Sequence, residues 1–263
     1  MSLRYQFSIN PILPLLSDLS NVEQWINGHE VRFGNPNLKP YRGYMNNLNY
    51  LYKKNRLTVQ IFAYYQFSPN PIMSTSVERV DNDNDYYFVY GSANQKSFTQ
   101  LQERFYTNFE IFKNSLYLTI YGGINHYLNK GNEYTHTYTG YFGAGQLESI
   151  YKNWSLSISL NSRLNSQFAE TLYYGSKGGD VGLSYKYKAL KIGMGIMNPF
   201  LSDGISSGDK SISSLVSKET WNFVKDNGNM IYLSFAWNFN YGRKHQPGQK
   251  NLNNSDTETG IVK

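Results

Sequence analysis

The 263-residue chain contains no cysteine. That excludes a disulfide scaffold and any zinc–thiolate site, and says nothing about compartment. It has no run of 18 apolar residues, so no helix can cross a bilayer. Charged residues make up only 17%, low for a water-facing surface, and the helix formers Ala and Glu are scarce. With four histidines, no Ser/His/Asp spacing, no paired catalytic carboxylates, no phosphate loop and no dinucleotide fingerprint, enzymatic chemistry is not expected, and no cofactor is implied. The net charge of +6 is spread without a dense basic run, which disfavours nucleic acid. No leader-like segment opens the chain. Met1-Ser2-Leu3 runs directly into strand-like sequence, as expected equally of a secreted chain cut from a longer precursor and of a cytosolic one.

What is abundant is tyrosine, 24 residues, with 15 phenylalanines, set among Asn, Ser and Gly. This composition favours strands and polar turns. The plainest strand is 154–164: Trp154, Leu156, Ile158, Leu160 and Leu164 fall on one parity, and Ser155, Ser157, Ser159, Asn161 and Arg163 on the other. A period of two gives one apolar and one polar face. The length also suits a tilted strand crossing a bilayer.

The same alternation predicts about ten strands, at roughly 3–9, 41–52, 56–67, 98–112, 115–128, 134–150, 154–165, 170–188, 190–197 and 229–241. Residues 10–40, 68–97 and 198–228 read as long polar loops, with a short helix within 17–26 and a small hairpin around 81–85. Residues 242–263 read as a disordered polar tail beyond a barrel spanning 1–241. Tight turns repeat one phrase, an aromatic followed by Lys and usually Asn: Tyr52-Lys53-Lys54-Asn55, Phe112-Lys113-Asn114, Tyr151-Lys152-Asn153 and Tyr187-Lys188-Ala189. Short turns at one end and long loops at the other are the pattern of an outer-membrane barrel. The expected fold class is therefore all-β, an antiparallel transmembrane β-barrel segment with short periplasmic turns and long external loops.

Aromatics sort by level as well. Tyr50, Tyr52, Phe112, Tyr151, Trp154, Tyr185, Tyr187, Phe239 and Tyr241 lie near the turns, while Tyr64, Tyr65, Phe67, Tyr121, Tyr127, Tyr138, Tyr173 and Tyr174 lie near the loops. They are expected to form two interfacial belts. The interface anchors are taken as Tyr52, Tyr151, Trp154, Tyr187, Trp237 and Phe239. The expected lumen-facing charges are Glu110, Arg163, Lys186 and Lys191. Two weaker patterns stand beside these. Asp81-Asn82-Asp83-Asn84-Asp85 has alternating oxygen ligands, but Tyr86 and Ser92 occupy the positions where a calcium loop needs Gly and Glu. His126 and His136, equidistant from Gly131, are candidates to face each other across a hairpin, without an evident third metal ligand.

Gly34-Asn35-Pro36-Asn37-Leu38-Lys39-Pro40, followed by a Tyr/Asn-rich strand and a Lys-Lys-Asn turn, resembles the GNPNLKPE segment of Bacteroidetes-type TonB-dependent outer-membrane receptors, with Tyr41 in place of the usual Glu. The stretch 231–242 resembles that family's closing strand. The resemblance implies the C-terminal portion of a plugged barrel of about 22 strands in the outer membrane of a Gram-negative bacterium, importing a nutrient. Its partners would be outer-membrane lipid, a plug domain, an energy-coupling inner-membrane complex and an unidentified nutrient. On that reading the chain is a fragment lacking plug and signal peptide. Because ten is an even number, a complete small barrel is also consistent with the count. The alternative is a soluble all-β module binding carbohydrate or protein through exposed tyrosines.

Overall fold

The computed structural model describes residues 1–80, 86–199, 201, 205–224, 226 and 228–238. In chain order these form β1 (Ser2–Ile12), α1 (Leu16–Leu19), β2 (Gln24–Asn27), β3 (Glu30–Arg32), β4 (Tyr41–Lys54), β5 (Leu57–Pro69), β6 (Ile72–Val80) and β7 (Tyr86–Asn94). Next come β8 (Ser97–Phe112), β9 (Leu116–Lys130), β10 (Thr135–Tyr151), β11 (Trp154–Asn161), β12 (Ser166–Phe168) and β13 (Thr171–Tyr174). The last elements are β14 (Gly178–Tyr187), β15 (Leu190–Met197), β16 (Ile205–Ser211), β17 (Glu219–Phe223) and β18 (Met230–Trp237).

The ten strands expected from alternation form one antiparallel sheet in the order β1-β4-β5-β8-β9-β10-β11-β14-β15-β18. Among the described residues, β1 and β18 are its edges and do not pair with each other. The register is staggered. A single row of facing residues runs Leu57–Phe109–Leu118–Leu147–Ile158–Val181–Ile196–Ile231. It begins at the turn end of β5 and finishes near the loop end of β18, so the strands are sheared past one another as a barrel wall requires.

The tight turns share one backbone device, a left-handed residue. Asn55 (φ 50°), Asn114 (φ 56°), Lys152 (φ 52°) and Lys188 (φ 52°) occupy it. Asn tolerates this region better than most residues. At the two turns with lysine, the side chain folds back so that the ammonium lies 5.3 Å from the centroid of the preceding ring, Lys152 over Tyr151 and Lys188 over Tyr187. At these two turns the aromatic–Lys phrase is thus a cation–π contact within the turn.

The opposite end corrects the expectation of irregular loops. The connections there fold into two further four-stranded sheets, β2-β3-β7-β6 and β12-β13-β16-β17. The expected 17–26 helix is only Leu16–Leu19, with Gln24–Asn27 a strand. β6 and β7 pair antiparallel from Ile72–Asn94 to Val80–Tyr86; residues 81–85, where the small hairpin is expected, lie outside the described residues. The single strand expected over 170–188 is broken into β13 and β14. β1 continues through Pro11, which pairs with Arg42; an edge strand can absorb a missing N–H. The tail at 242–263 lies outside the described residues.

The buried apolar core lies at the loop end, with Val31, Met73 and Val89 in the β2-β3-β7-β6 sheet, Phe98 in β8 and Ala169 in the β12–β13 turn. The ten-stranded sheet contributes to it only near its loop end, through Phe98 of β8 and Tyr127 of β9 among the described residues. Its apolar face points outward, with Ile231 70%, Leu233 81% and Phe235 67% exposed.

Candidate functional site

The tight-turn edge of the apolar face carries aromatics in two successive rows. Tyr151, Trp154, Tyr185, Ile192 and Phe235 form one, and Tyr187, Leu190 and Trp237 the next. The Trp154 and Tyr185 rings lie 4.8 Å apart. Tyr52 occupies the same face, opposite Val59. Five of the six expected anchors therefore share one face and one end; Phe239 lies outside the described residues.

At the loop end the expected belt divides. Tyr65 and Phe67 are on the apolar face and exposed, joined by Tyr141, which the sequence reading left out. Tyr64, Tyr121, Tyr127 and Tyr138 have the other parity and turn inward. Tyr127 is 4% exposed and stacks on Tyr138, and Tyr121 packs against Phe142 at 5.4 Å. Tyr173 and Tyr174 belong to β13 of the added sheet.

The polar face carries the row Glu110–Tyr117–Glu148–Ser157–Gly182–Gly195–Tyr232. Glu110 is tied to its own turn end: it accepts the Asn114 N–H and sits 4.0 Å from the Arg56 guanidinium. Two rows nearer the turns, Lys186 stands directly opposite Lys191. Arg163 is elsewhere. It follows β11, donates to the Gly175 carbonyl at 2.9 Å and lies over the Trp221 ring. The structure thus brings two of the four expected charges together. It adds Arg104, which the sequence reading did not single out although it shares parity with Gln100 and Gln102; it donates to Gln102 at 3.0 Å and covers the Phe142 ring.

His126 and His136 do not meet. His126 pairs with Thr139 and bonds its hydroxyl at 2.8 Å on the apolar face, whereas His136 pairs with Asn129 on the polar face. His136 Nε2 is 3.5 Å from Glu170, and the Tyr134 ring stacks on the imidazole at 5.0 Å. Burial and the neighbouring Glu170 carboxylate push the Tyr134 hydroxyl up from its ordinary range. Fully buried Asn129 accepts the Ala169 N–H at 2.8 Å and so holds the β12–β13 turn against β9. Among the described residues no group of three metal-ligating side chains exists, and the Asp81–Asp85 stretch lies outside them.

The Gly34–Pro40 segment joins the added sheet to β4. The Gly34 and Asn35 amides donate to the Ser20 and Asp18 carbonyls at 2.6 Å each. A Cβ at Gly34 would overlap those same oxygens, so the close approach requires glycine. Asn35 caps its own turn by accepting the Asn37 N–H at 2.9 Å. Leu38 is buried, and Lys39 exchanges backbone hydrogen bonds with the Asn94 side chain at 2.8 and 2.9 Å. The motif is a clamp on β7.

The sequence profile of the outer membrane protein beta-barrel family matches residues 1–241. No curated protein matches the chain in sequence. Among solved structures, the siderophore receptor PirA from Acinetobacter baumannii is similar at 12% identity and a TM-score of 0.59, over 90% of this chain and 39% of that one. The ferric enterobactin receptor PfeA from Pseudomonas aeruginosa gives 13%, 0.56, 90% and 38% for the same measures. PirA from Pseudomonas aeruginosa gives 13%, 0.52, 75% and 36%. At such identities the likeness is one of fold. The chain spans less than two fifths of the length of each receptor.

Proposed function

Because the chain belongs to the outer membrane protein beta-barrel family, we propose that it forms the C-terminal wall of a Bacteroidetes-type TonB-dependent receptor that takes up a nutrient. The ten-stranded sheet supplies part of a larger barrel, with the apolar face toward lipid and the polar face toward the lumen. Tyr52, Tyr151, Trp154, Tyr187 and Trp237 anchor the periplasmic interface. Lys186 and Lys191 meet a plug domain, Glu110 lines the lumen beside its turn, and Arg163 braces the outer rim. An inner-membrane energy-coupling complex acts through the plug.

The observation that carries this reading is the sorting of connections: tight turns at one end of the sheet, and at the other two added sheets built from the chain between strands. Folded segments at the loop end give a receptor a surface on which to meet a ligand. The soluble-module alternative leaves the outward apolar row from Leu57 to Ile231 without cover, against the membership of a membrane family. The family and the structural neighbours are membrane barrels and receptors, and we propose no catalytic role.

The test is uptake by the complete receptor in cells lacking the inner-membrane energy-coupling complex. The expected result is loss of uptake with unchanged receptor in the outer membrane. Uptake that persists would remove TonB dependence from the reading. A monodisperse, detergent-free monomer of this chain would remove the barrel itself.

A further inference from the structure

A cleft of about 390 Å³ opens on one face of the β2-β3-β7-β6 sheet, within the size range of small-ligand sites. Its floor is set by strand register. Val77 faces Val89, and Thr75 faces Gly91, on adjoining rows of the β6–β7 hairpin. Gly91 keeps the floor low where the wall comes close: a Cβ there would lie 3.1 Å from the Phe33 carbonyl oxygen. Phe33 and Pro36 supply the apolar wall.

Charge around this sheet is unevenly satisfied. Asp18 and Arg32 pair at 3.9 Å, and Asp18 also accepts the Ser92 hydroxyl. Arg79 and Glu23, which both line the cleft, make no ion pair with each other or with any other described residue. The Arg79 guanidinium is held over the Phe33 ring, 5.2 Å from its centroid. A guanidinium lying over a ring can still donate from its N–H groups to a carboxylate.

A site that offers one fixed cation, one carboxylate and an apolar floor suits a ligand with the complementary arrangement. We propose that this cleft binds a short apolar peptide with free termini, its carboxylate on Arg79, its ammonium on Glu23 and its side chains on Val77, Val89 and Phe33. A cleft of about 390 Å³ is roomier than a single amino acid needs, which favours a dipeptide or longer. The proposal rests on the receptor reading, which puts this sheet outside the cell where such a ligand would be met first.

The probe is the dipeptide Leu-Phe, compared with its N-acetyl and C-amide forms, each of which removes one terminal charge at nearly constant shape. Binding is measured by ligand-observed NMR on the full chain refolded in detergent micelles, with empty micelles as the blank. The far-ultraviolet β spectrum of the same sample reports that the chain has refolded, and aggregation of the chain when detergent is removed reports separately on the barrel reading. The expected result is binding of Leu-Phe, with each capped form weaker by at least about tenfold, as loss of a charge-assisted bond implies. Arg79→Gln should erase the difference between Leu-Phe and its amide. Glu23→Gln should erase the difference between Leu-Phe and its acetyl form. Equal binding of all three peptides, no binding of Leu-Phe to a β-rich chain, or a pattern unmoved by both substitutions would overturn the proposal.

Discussion

Tyr232 lies across Gly195. The two face each other in the β15–β18 register, and a Cβ on Gly195 would sit 2.5 Å from the Tyr232 hydroxyl oxygen. The phenol reaches one strand further, since a Cβ on Gly182 would be 2.9 Å from the same oxygen. One side chain of the last strand thus covers two neighbouring strands. It fixes their register on a face otherwise built from small residues.

Gly195→Ala should therefore destabilise the refolded chain by about 1–3 kcal/mol, the usual cost of overpacking. Part of the clash is with the Val181 backbone oxygen at 2.6 Å, which cannot rotate away. Gly143→Ala is the control, because nothing lies within 4 Å of its added Cβ. Urea unfolding in detergent should separate the two variants, and equal midpoints would mean that Tyr232 is not seated on Gly195.

The ten-stranded sheet was legible because several of its strands alternate clearly, as Trp154–Leu160 and Ile231–Trp237 do, and because the aromatic–Lys turns mark where they reverse. The added sheets were not. β2 and β3 are four and three residues long, too short to show a period, and β3 pairs in parallel with β7, far along the chain. The histidines show the limit of counting. Equal spacing about Gly131 suggested that His126 faces His136, but the hairpin pairs Lys130 with Thr135. That register displaces the partner of His126 to Thr139, an odd number of residues away, and an odd displacement reverses the face. Likewise Tyr64 and Tyr65 are neighbours at the same level on opposite faces; level alone did not decide which belonged to the outer belt.

Ile158 and Ser157 offer a direct test of the two faces. Ile158 lies in the apolar row with Leu147 and Val181, and Ser157 in the polar row with Glu148 and Gly182. Ile158→Arg should cost roughly 2–4 kcal/mol in lipid, as charge at the bilayer midplane does. Ser157→Arg should cost far less. Unfolding of both variants in vesicles measures the difference, and equal costs would mean that both faces are shielded alike.

Tyr90 supplies a pH signature outside the membrane-spanning strands. Burial, then its hydrogen bond to Glu30 at 3.0 Å and that carboxylate's charge, push its hydroxyl up to about 12. A raised pKa means that the folded state prefers the protonated phenol. The contribution is complete below the ordinary value of 10.0 and is lost as pH rises from there toward about 12. Absorbance at the tyrosinate band, taken as native minus Tyr90→Phe, should show one group ionising near the top of that window. A difference centred near 10 would place Tyr90 in water and detach β7 from β3.

Lys186 and Lys191 face each other as like charges, an arrangement that weakens a cross-strand pair. Lys186→Glu would turn the pair into one of opposite charge. It should stabilise the isolated chain by about 0.2–1 kcal/mol, read as a higher unfolding midpoint in detergent. If the two ammonium groups serve an acidic surface of a plug, the same substitution should reduce uptake by the complete receptor. A stabilised chain with impaired uptake is thus the expected combination. Stability gained with uptake intact would mean that the repulsion serves no docked partner, and the plug contact assigned to these lysines would have to be withdrawn.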